Sequence, residues 1–592
     1  MCLQKWRGSV KNIEDNKEFK PYIPADKVMS ELSITSVILG IILAVIFGGA
    51  NAYLGLRVGM TVSASIPAAV VSMGIIRIIL KRNSILENNM VQTIGSAGES
   101  VAAGAIFTLP VLFMWFNEGK ADYPKYAEIT LICGAASILG ILFMIPLRKV
   151  LIVKEHYKLP YPEGTACAKV LMAGENNKSD ANLVFAGLGI AAIYKFMADG
   201  LKLFSSEIHY DIKRLKGAAI GIDILPALLS VGYICGPKIA GYMFAGGIIS
   251  WIGLMPLINM FGDNIIMFPG DKAINLMSSS ELWSNYIRYI GAGAVAAAGI
   301  ISLVKTLPII FSSFAKTLRR EGENEENVTR LNKNIDNKLI WTGILGIVLF
   351  LWLSPIFPIN FPGAILIVIF GFFFATVSSR MVGLVGSSNN PVSGMAIATL
   401  IITGVILSSS GIKTNNALIG TIVVGSVICI VAAISGDTSQ DLKTGYILGA
   451  TPMKQQIGEI IGVVASSLAI SGVLYLLNNA WGFGSSELPA PQATLMKIVV
   501  EGVMEGNLPW NLIMIGAAIA IAVEIIGVPA LPFAVGMYLP IYLSAGIMLG
   551  GVVRFLIDKF ADKVSEKGIL VSSGMIAGEG LVGIILAILE VV

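Results

Sequence analysis

Apolar runs of about twenty residues fill this chain nearly end to end and limit what it can fold into; 33–56 and 569–589 are two of them. A hydrocarbon layer about 30 Å thick is crossed by roughly 20 residues of helix. Inside it, only helices and closed barrels satisfy every backbone hydrogen bond. Barrel strands alternate apolar and polar residues, and these runs do not. The expected fold is an all-α polytopic membrane protein. Of 592 residues, 55% are hydrophobic and 14% charged, against about 25% charged in a soluble chain.

The same composition closes off other classes. A net charge of +4, spread over loops, offers nucleic acid no basic surface. Cys2, Cys133, Cys167, Cys235 and Cys429 form no CxxC pair, and the only histidines are His156 and His209. Neither a disulfide framework nor a protein-held metal is expected, and no cofactor is implied. The first 32 residues are polar and mixed in charge, unlike a cleavable signal peptide.

Sixteen candidate spans can be marked. Eight lie at about 33–56, 58–80, 90–116, 127–147, 182–204, 217–235, 236–258 and 285–313. Eight more lie at about 338–354, 362–379, 389–409, 416–435, 457–477, 511–528, 532–552 and 568–590. This divides the chain into a cytoplasmic tail (1–32), a first transmembrane half (33–315), a charged cytoplasmic linker (316–337) and a second half (338–592). The third span of each half opens on an Asn-Asn pair, at 88–89 and 389–390, and runs on through small residues. After each fourth span comes a short polar segment, LPYPEGTACAKVL (159–171) or QDLKTGYILGATP (440–452), too polar to cross and expected to be re-entrant or at the surface. Two eight-span halves entering from one side would be parallel repeats.

Lys and Arg mark cytoplasmic loops. The tail, the loop with Arg77, Lys81 and Arg82, the loop 148–178 and the linker carry them, so both termini are expected in the cytoplasm, in a plasma (inner) membrane. Two loops break the pattern, 213–216 and 554–567.

Ionisable residues inside spans are costly and therefore functional candidates. Glu99 (in GSAGES), Glu524 and Glu579 have no charged sequence neighbour and are candidates for carrying protons. Lys195 and Asp199 share a helical face at i, i+4 and are expected as a structural ion pair. Asp223 falls on the sixth span, and Glu459 is set aside as lying near a helix start. The sequence GLGIAA (187–192) matches a dinucleotide fingerprint only superficially, because it sits inside an apolar span with no preceding strand. Polar residues beside Gly or Pro at helix breaks are candidates for substrate contact or gating: Tyr161, Glu163, Thr165, Asn389, Asn390, Gln440, Asp441, Lys443 and Tyr446. Unwound backbone at such breaks can offer carbonyls and amides to a solute.

Segments spread over nearly the whole chain resemble the oligopeptide transporter family, in particular its prokaryotic and yellow-stripe-like branch. They include PYIPADKVMSELS (21–33), NAYLGLRVGMTVSASIPAAV (51–70), NNMVQTIGSAGESVAAG (88–104), LPYPEGTACAKVL, GSSNNPVSGM (386–395), QDLKTGYILGATPMKQQIGE (440–459), PFAVGMYLP (532–540), GGVVRF (550–555) and SSGMIAGEGLVGI (572–584). The resemblance implies about sixteen helices and a secondary active transporter driven by inward proton movement. Its cargo would be short peptides or metal ions held by chelators of the siderophore or nicotianamine type. The NPG and KIPPR sequences of the eukaryotic peptide-transporting branch do not occur; Val392 follows Asn390-Pro391.

The expected activity is therefore proton-coupled uptake of oligopeptides by alternating access, with metal–chelator uptake as the alternative. Protons are the coupling ion, and the bilayer and the small solute are the partners. The oligomeric state stays open, a homodimer included. An intramembrane protease would need a GxGD and a partner YD, and Ser435-Gly436-Asp437 supplies only part of the first. A channel would need a polar pore ring, usually supplied by several subunits.

Overall fold

The computed structural model describes residues 19–582 except 59–60, 62, 80–83, 177, 213, 292, 295–296, 299–300, 302–304, 306–328, 388–389, 391, 410–413, 485–487, 489, 505–508, 561–564, 566, 570, 573, 576–577 and 580–581. The first helix, α1 (Ile34–Val58), is opened by Ser33, whose Oγ accepts from the Ser36 amide at 3.1 Å. After it come α2 (Ser65–Met73), α3 (Ile85–Ala105), α4 (Pro110–Asn117), α5 (Tyr126–Arg148), α6 (Pro162–Asn176) and α7 (Lys178–Lys195). An antiparallel hairpin follows, β1 (Glu207–Asp211) and β2 (Ala219–Asp223), with Glu207 opposite Asp223 and Asp211 opposite Ala219. Then come α8 (Pro226–Cys235), α9 (Pro237–Ile248), which runs through a π turn into α10 (Met255–Gly262), and α11 (Ser279–Leu282). The remainder is α12 (Asn337–Leu353), α13 (Phe361–Val385), α14 (Val392–Ser409), α15 (Thr414–Leu448), α16 (Pro452–Trp481), α17 (Pro491–Met504), α18 (Trp510–Ile525), α19 (Ala530–Tyr538) and α20 (Ile541–Phe560). Proline at the first position starts several of them, where its missing N–H costs nothing.

Among the described residues ten helices, not sixteen, have the length and hydropathy to cross a bilayer; 65–76 and 510–525 are shorter apolar helices. Part of the difference lies outside the described residues, into which the expected spans 285–313 and 568–590 run, and part has local causes. The expected span 217–235 is the strand β2 and the half-length α8, so the chain is not purely helical, and Asp223 sits on the strand. The expected span 532–552 is split at Leu539-Pro540 into α19 and α20, and the last of these runs to Phe560. The segment 440–452 is no separate re-entrant element, because α15 continues through it to Leu448 and stops at Gly449 in a left-handed conformation (φ +83°). The segment 159–171 enters α6, which packs against α2 and α15 inside the protein.

The helices assemble into two groups, and each group draws on both sides of the linker. In one, α15 and α16 pack among α1, α3 and α5, with α12, α13, α14 and α17 around them. In the other, α8 and α9 pack against α19 and α20, and β2 leans on α20. Small residues let backbones approach: a Cβ on Gly98 of α3 would collide with the Ala44 carbonyl of α1, and one on Gly536 of α19 with Met243 of α9.

Ahead of α1, the segment 19–33 lies across the end of α15. The Tyr22 and Ile23 amides donate to the Ile447 and Leu448 carbonyls at 3.0 and 2.9 Å. Arg330 joins the two by donating to the carbonyls of Pro24 (2.8 Å), Ala25 (3.2 Å) and Gly449. Buried Glu31 accepts from the amide and hydroxyl of Thr451 at 2.8 and 2.7 Å, with Lys454 at 3.3 Å. Arg554 lies 5.1 Å from the Tyr233 ring, beside the end of α8, whose Cys235 thiol reaches the Leu384 carbonyl at 3.2 Å. The chain path puts Arg554 on the face of this segment, whereas the hairpin turn with Arg214 and Lys216 lies on the opposite face.

The α1–α3 crossing predicts a sharp contrast between two glycines. Gly98→Ala forces backbone against backbone and should cost about 1–3 kcal/mol. Gly346→Ala on α12, where a Cβ meets nothing within 4 Å, should be neutral. Thermal unfolding of the two purified variants checks this.

Candidate functional site

The polar residues of this protein converge on the second half of α15. Asp437 and Asp441 are one turn apart on its inner face, both buried. Asp441 accepts from the Gln92 amide and the Ser96 hydroxyl of α3 and from Ser65 of α2 at 3.3 Å. Glu459 of α16, also buried, lies near it. Asp437 is reached by Ser100 of α3 and by the Ser387 hydroxyl at 3.3 Å. Glu99, 4% exposed, accepts from the Ala64 amide at the start of α2.

Gln92, Ser96 and Glu99 fall at i, i+4 and i+7, so one face of α3 meets one face of α15. Glu163 lies close to this group of carboxyls. Asp437 Oδ2 and Glu459 Oε1 are buried without a hydrogen-bond partner.

A second layer joins this core to two helix breaks. Glu163, at the start of α6, accepts from the Ser387 amide at 2.7 Å, where α13 ends at Gly386 (φ +90°). The Gly164 amide donates to Gln440 Oε1 at 2.7 Å, and Gln440 Nε2 donates to the Val382 carbonyl at 3.2 Å. Tyr161 is fully buried; its amide donates to Gly383 (2.8 Å) and its hydroxyl to Ser379 (3.1 Å). Thr165 donates to the Pro160 carbonyl at 2.5 Å, and Asn390 to the Ser378 hydroxyl at 2.8 Å. Asn389 lies outside the described residues.

Lys443 sits on the other side of α15, 1% exposed. It donates to His156 Nδ1 (2.9 Å) and to the carbonyls of His156 (3.0 Å) and Leu159 (3.2 Å). Its three protons are thus spent on the loop 155–161. Burial first, and the Lys443 ammonium second, push His156 down to about 4. Tyr446 completes this corner, its ring stacked 4.8 Å from Phe19 and tilted onto His156 at 5.2 Å.

The other carboxylates singled out in the sequence lie elsewhere. Glu524 ends α18, accepts from the Ala530 amide at 2.8 Å and pairs with Lys305, so it caps α19. Glu579, buried, lies 3.9 Å from Lys195, which pairs with Asp199 at 2.6 Å. Sequence reasoning missed Glu459, because α16 starts at Pro452, two turns before it, rather than beside it. It also weighed Asp437 only as a protease motif, although Asp437 and Asp441 already stand at i, i+4.

Long apolar helices around an occluded carboxylate core, bordered by interrupted helices, define a membrane carrier. The chain belongs to the oligopeptide transporter family: the model of the OPT oligopeptide transporter protein matches residues 31–590. A protein of Haemophilus influenzae described as "Putative oligopeptide transporter" is 32% identical, covering 90% of this chain and 92% of its own. The metal-nicotianamine transporter YSL3 of Arabidopsis thaliana is 24% identical, covering 96% and 92%. The protein is a transporter, not an enzyme, and is integral to the membrane.

The His156 corner predicts a pH effect. With an unfolded value near 6.5 and a folded value of about 4, the unfolded chain takes up the proton first. Stability is therefore unaffected above pH 6.5 and lost as pH falls from 6.5 toward 4. His156→Asn, which keeps an acceptor and does not titrate, should flatten that decline in thermal unfolding temperature.

Proposed function

We propose that this protein takes up oligopeptides by proton-coupled alternating access, with Asp441 and Glu459 as the proton-carrying pair. The observation that carries the reading is the gathering of four buried carboxyls, Glu99, Asp437, Asp441 and Glu459, where α3, α15 and α16 meet. Carboxyls gathered inside a membrane protein are suited to taking up and releasing a proton as the site reorganises. Glu99 and Asp437 extend the same site, and Glu163 with Ser387 links it to the break between α13 and α14. Substrate would enter at that break, beside Tyr161, Thr165, Asn390 and Gln440. The membrane is the plasma (inner) membrane, with the segment 19–33 on the cytoplasmic side.

At a potential of 100 mV, one inward proton supplies about 2.3 kcal/mol, enough to hold a neutral solute at roughly a fiftyfold gradient. The Haemophilus relative's description supports peptides. The Arabidopsis relative's name supports a second reading, uptake of a metal–chelator complex, in which the metal is part of the cargo.

Reconstituted protein under an inward proton gradient should accumulate labelled tri- to pentapeptides, and a protonophore should abolish that accumulation. Accumulation of iron–nicotianamine alone would select the second reading, and transport of neither would overturn both. Asp441→Asn should cut gradient-driven uptake at least tenfold while leaving exchange of preloaded substrate in place. If both fall together, Asp441 serves binding rather than proton coupling.

A further inference from the structure

Far from the carboxylate core, the hairpin turn and α10 enclose a cavity of about 520 Å³. We propose that it is a binding site for one anionic phospholipid, the phosphate held by Arg214 and Lys216 and an acyl chain lying along Ile252, Pro256, Leu257 and Met260. Those residues line the cavity, whose size is that of a small-molecule site.

The cavity is held open by rigid parts. The turn between β1 and β2 is fixed by Ile212 N–H donating to the Ala218 carbonyl (2.9 Å) and Leu215 N–H to the Ile212 carbonyl (2.9 Å). Gly217, at φ +84°, presses the turn against α10; a Cβ there would stand 2.9 Å from Asn259 Cβ. Asn259 is itself anchored, donating to the Ile274 carbonyl at 3.3 Å. Arg214 and Lys216 therefore project from a docked loop.

Charge and position name the occupant. Among the described residues neither Arg214 nor Lys216 makes a hydrogen bond or ion pair, and no carboxylate lines the cavity. By contrast, exposed Lys272 pairs with Glu281 at 2.6 Å. Two unneutralised cations also explain why 213–216 departs from the usual distribution of Lys and Arg: they are placed for an anion. The cavity lies at the end of the span 237–262, where a lipid headgroup meets its tail. Met260 and Phe261 beside it are 73% and 75% exposed, an apolar rim facing the acyl region. A basic pocket continuous with an apolar groove at a helix end is the arrangement that holds anionic lipid headgroups.

The test uses purified full-length protein and native mass spectrometry with phosphatidylglycerol and phosphatidylcholine of identical chains. We expect one tightly held phosphatidylglycerol per chain and at least tenfold weaker retention of phosphatidylcholine. Arg214→Ala with Lys216→Ala should remove that preference. Gly253→Leu should block the cavity without disturbing the fold, because a Cβ at Gly253 meets nothing within 4 Å. Equal retention of the two lipids, or unchanged phosphatidylglycerol binding in both variants, overturns the proposal. So does displacement of the lipid by millimolar inorganic phosphate, which would mark a free-anion site. Thermal unfolding confirms that each variant is folded before binding is scored.

Discussion

The structure depends on how one helix keeps its polar side chains satisfied inside a membrane. Along its last four turns α15 carries Asp437, Gln440, Asp441, Lys443 and Thr444, all buried. An unpaired buried polar group costs several kcal/mol in hydrocarbon, so each must find a partner on another element. Those partners come from α2, α3, α6, α16 and the breaks around them. The demand for partners places the surrounding helices, and the apolar surfaces fill in the rest. Among the described residues, two of the atoms left without a partner, Asp437 Oδ2 and Glu459 Oε1, lie inside the carboxylate core.

How much of this was legible in the sequence follows from the same physics. Long continuous spans such as α5, α13 and α16 were visible as apolar runs, because lipid demands apolarity over about twenty residues. The half-length α8 and the split at Pro540 were not, since protein rather than lipid surrounds them and hydropathy does not register the interruption. The end of α15 was mistaken for a re-entrant segment for the converse reason: its polar residues are buried against protein, so a genuine helix looked too polar to cross. Of the site residues, Glu163, Gln440 and Asp441 were found from their setting beside Gly and Pro. Lys443 was found too, but its ammonium is used up on the loop 155–161 (2.9–3.2 Å). The approach of Glu459 to Asp441 brings α16 to α15 across a turn, and no spacing rule in a single chain announces it.

The grouping of helices across the linker bears on how the molecule can move. A transporter built as two sequence halves would hinge near residue 316. Here α15 and α16 are packed among α1, α3 and α5, so the two sides of the linker cannot separate there without opening the carboxylate core. The two helix groups meet at a second boundary, where the Cys235 thiol of α8 reaches the Leu384 carbonyl of α13. Glu163, Gly386 and Cys235 stand along that boundary.

The seat of the segment 19–33 has a consequence for biogenesis. Tyr22 and Ile23 leave the ribosome more than four hundred residues ahead of their hydrogen-bonding partners, Ile447 and Leu448. The segment must stay undocked while most of the helices insert. Its closure over α15, sealed by Arg330, therefore comes late in assembly, and a nascent chain stalled before α15 would lack a place to put this segment.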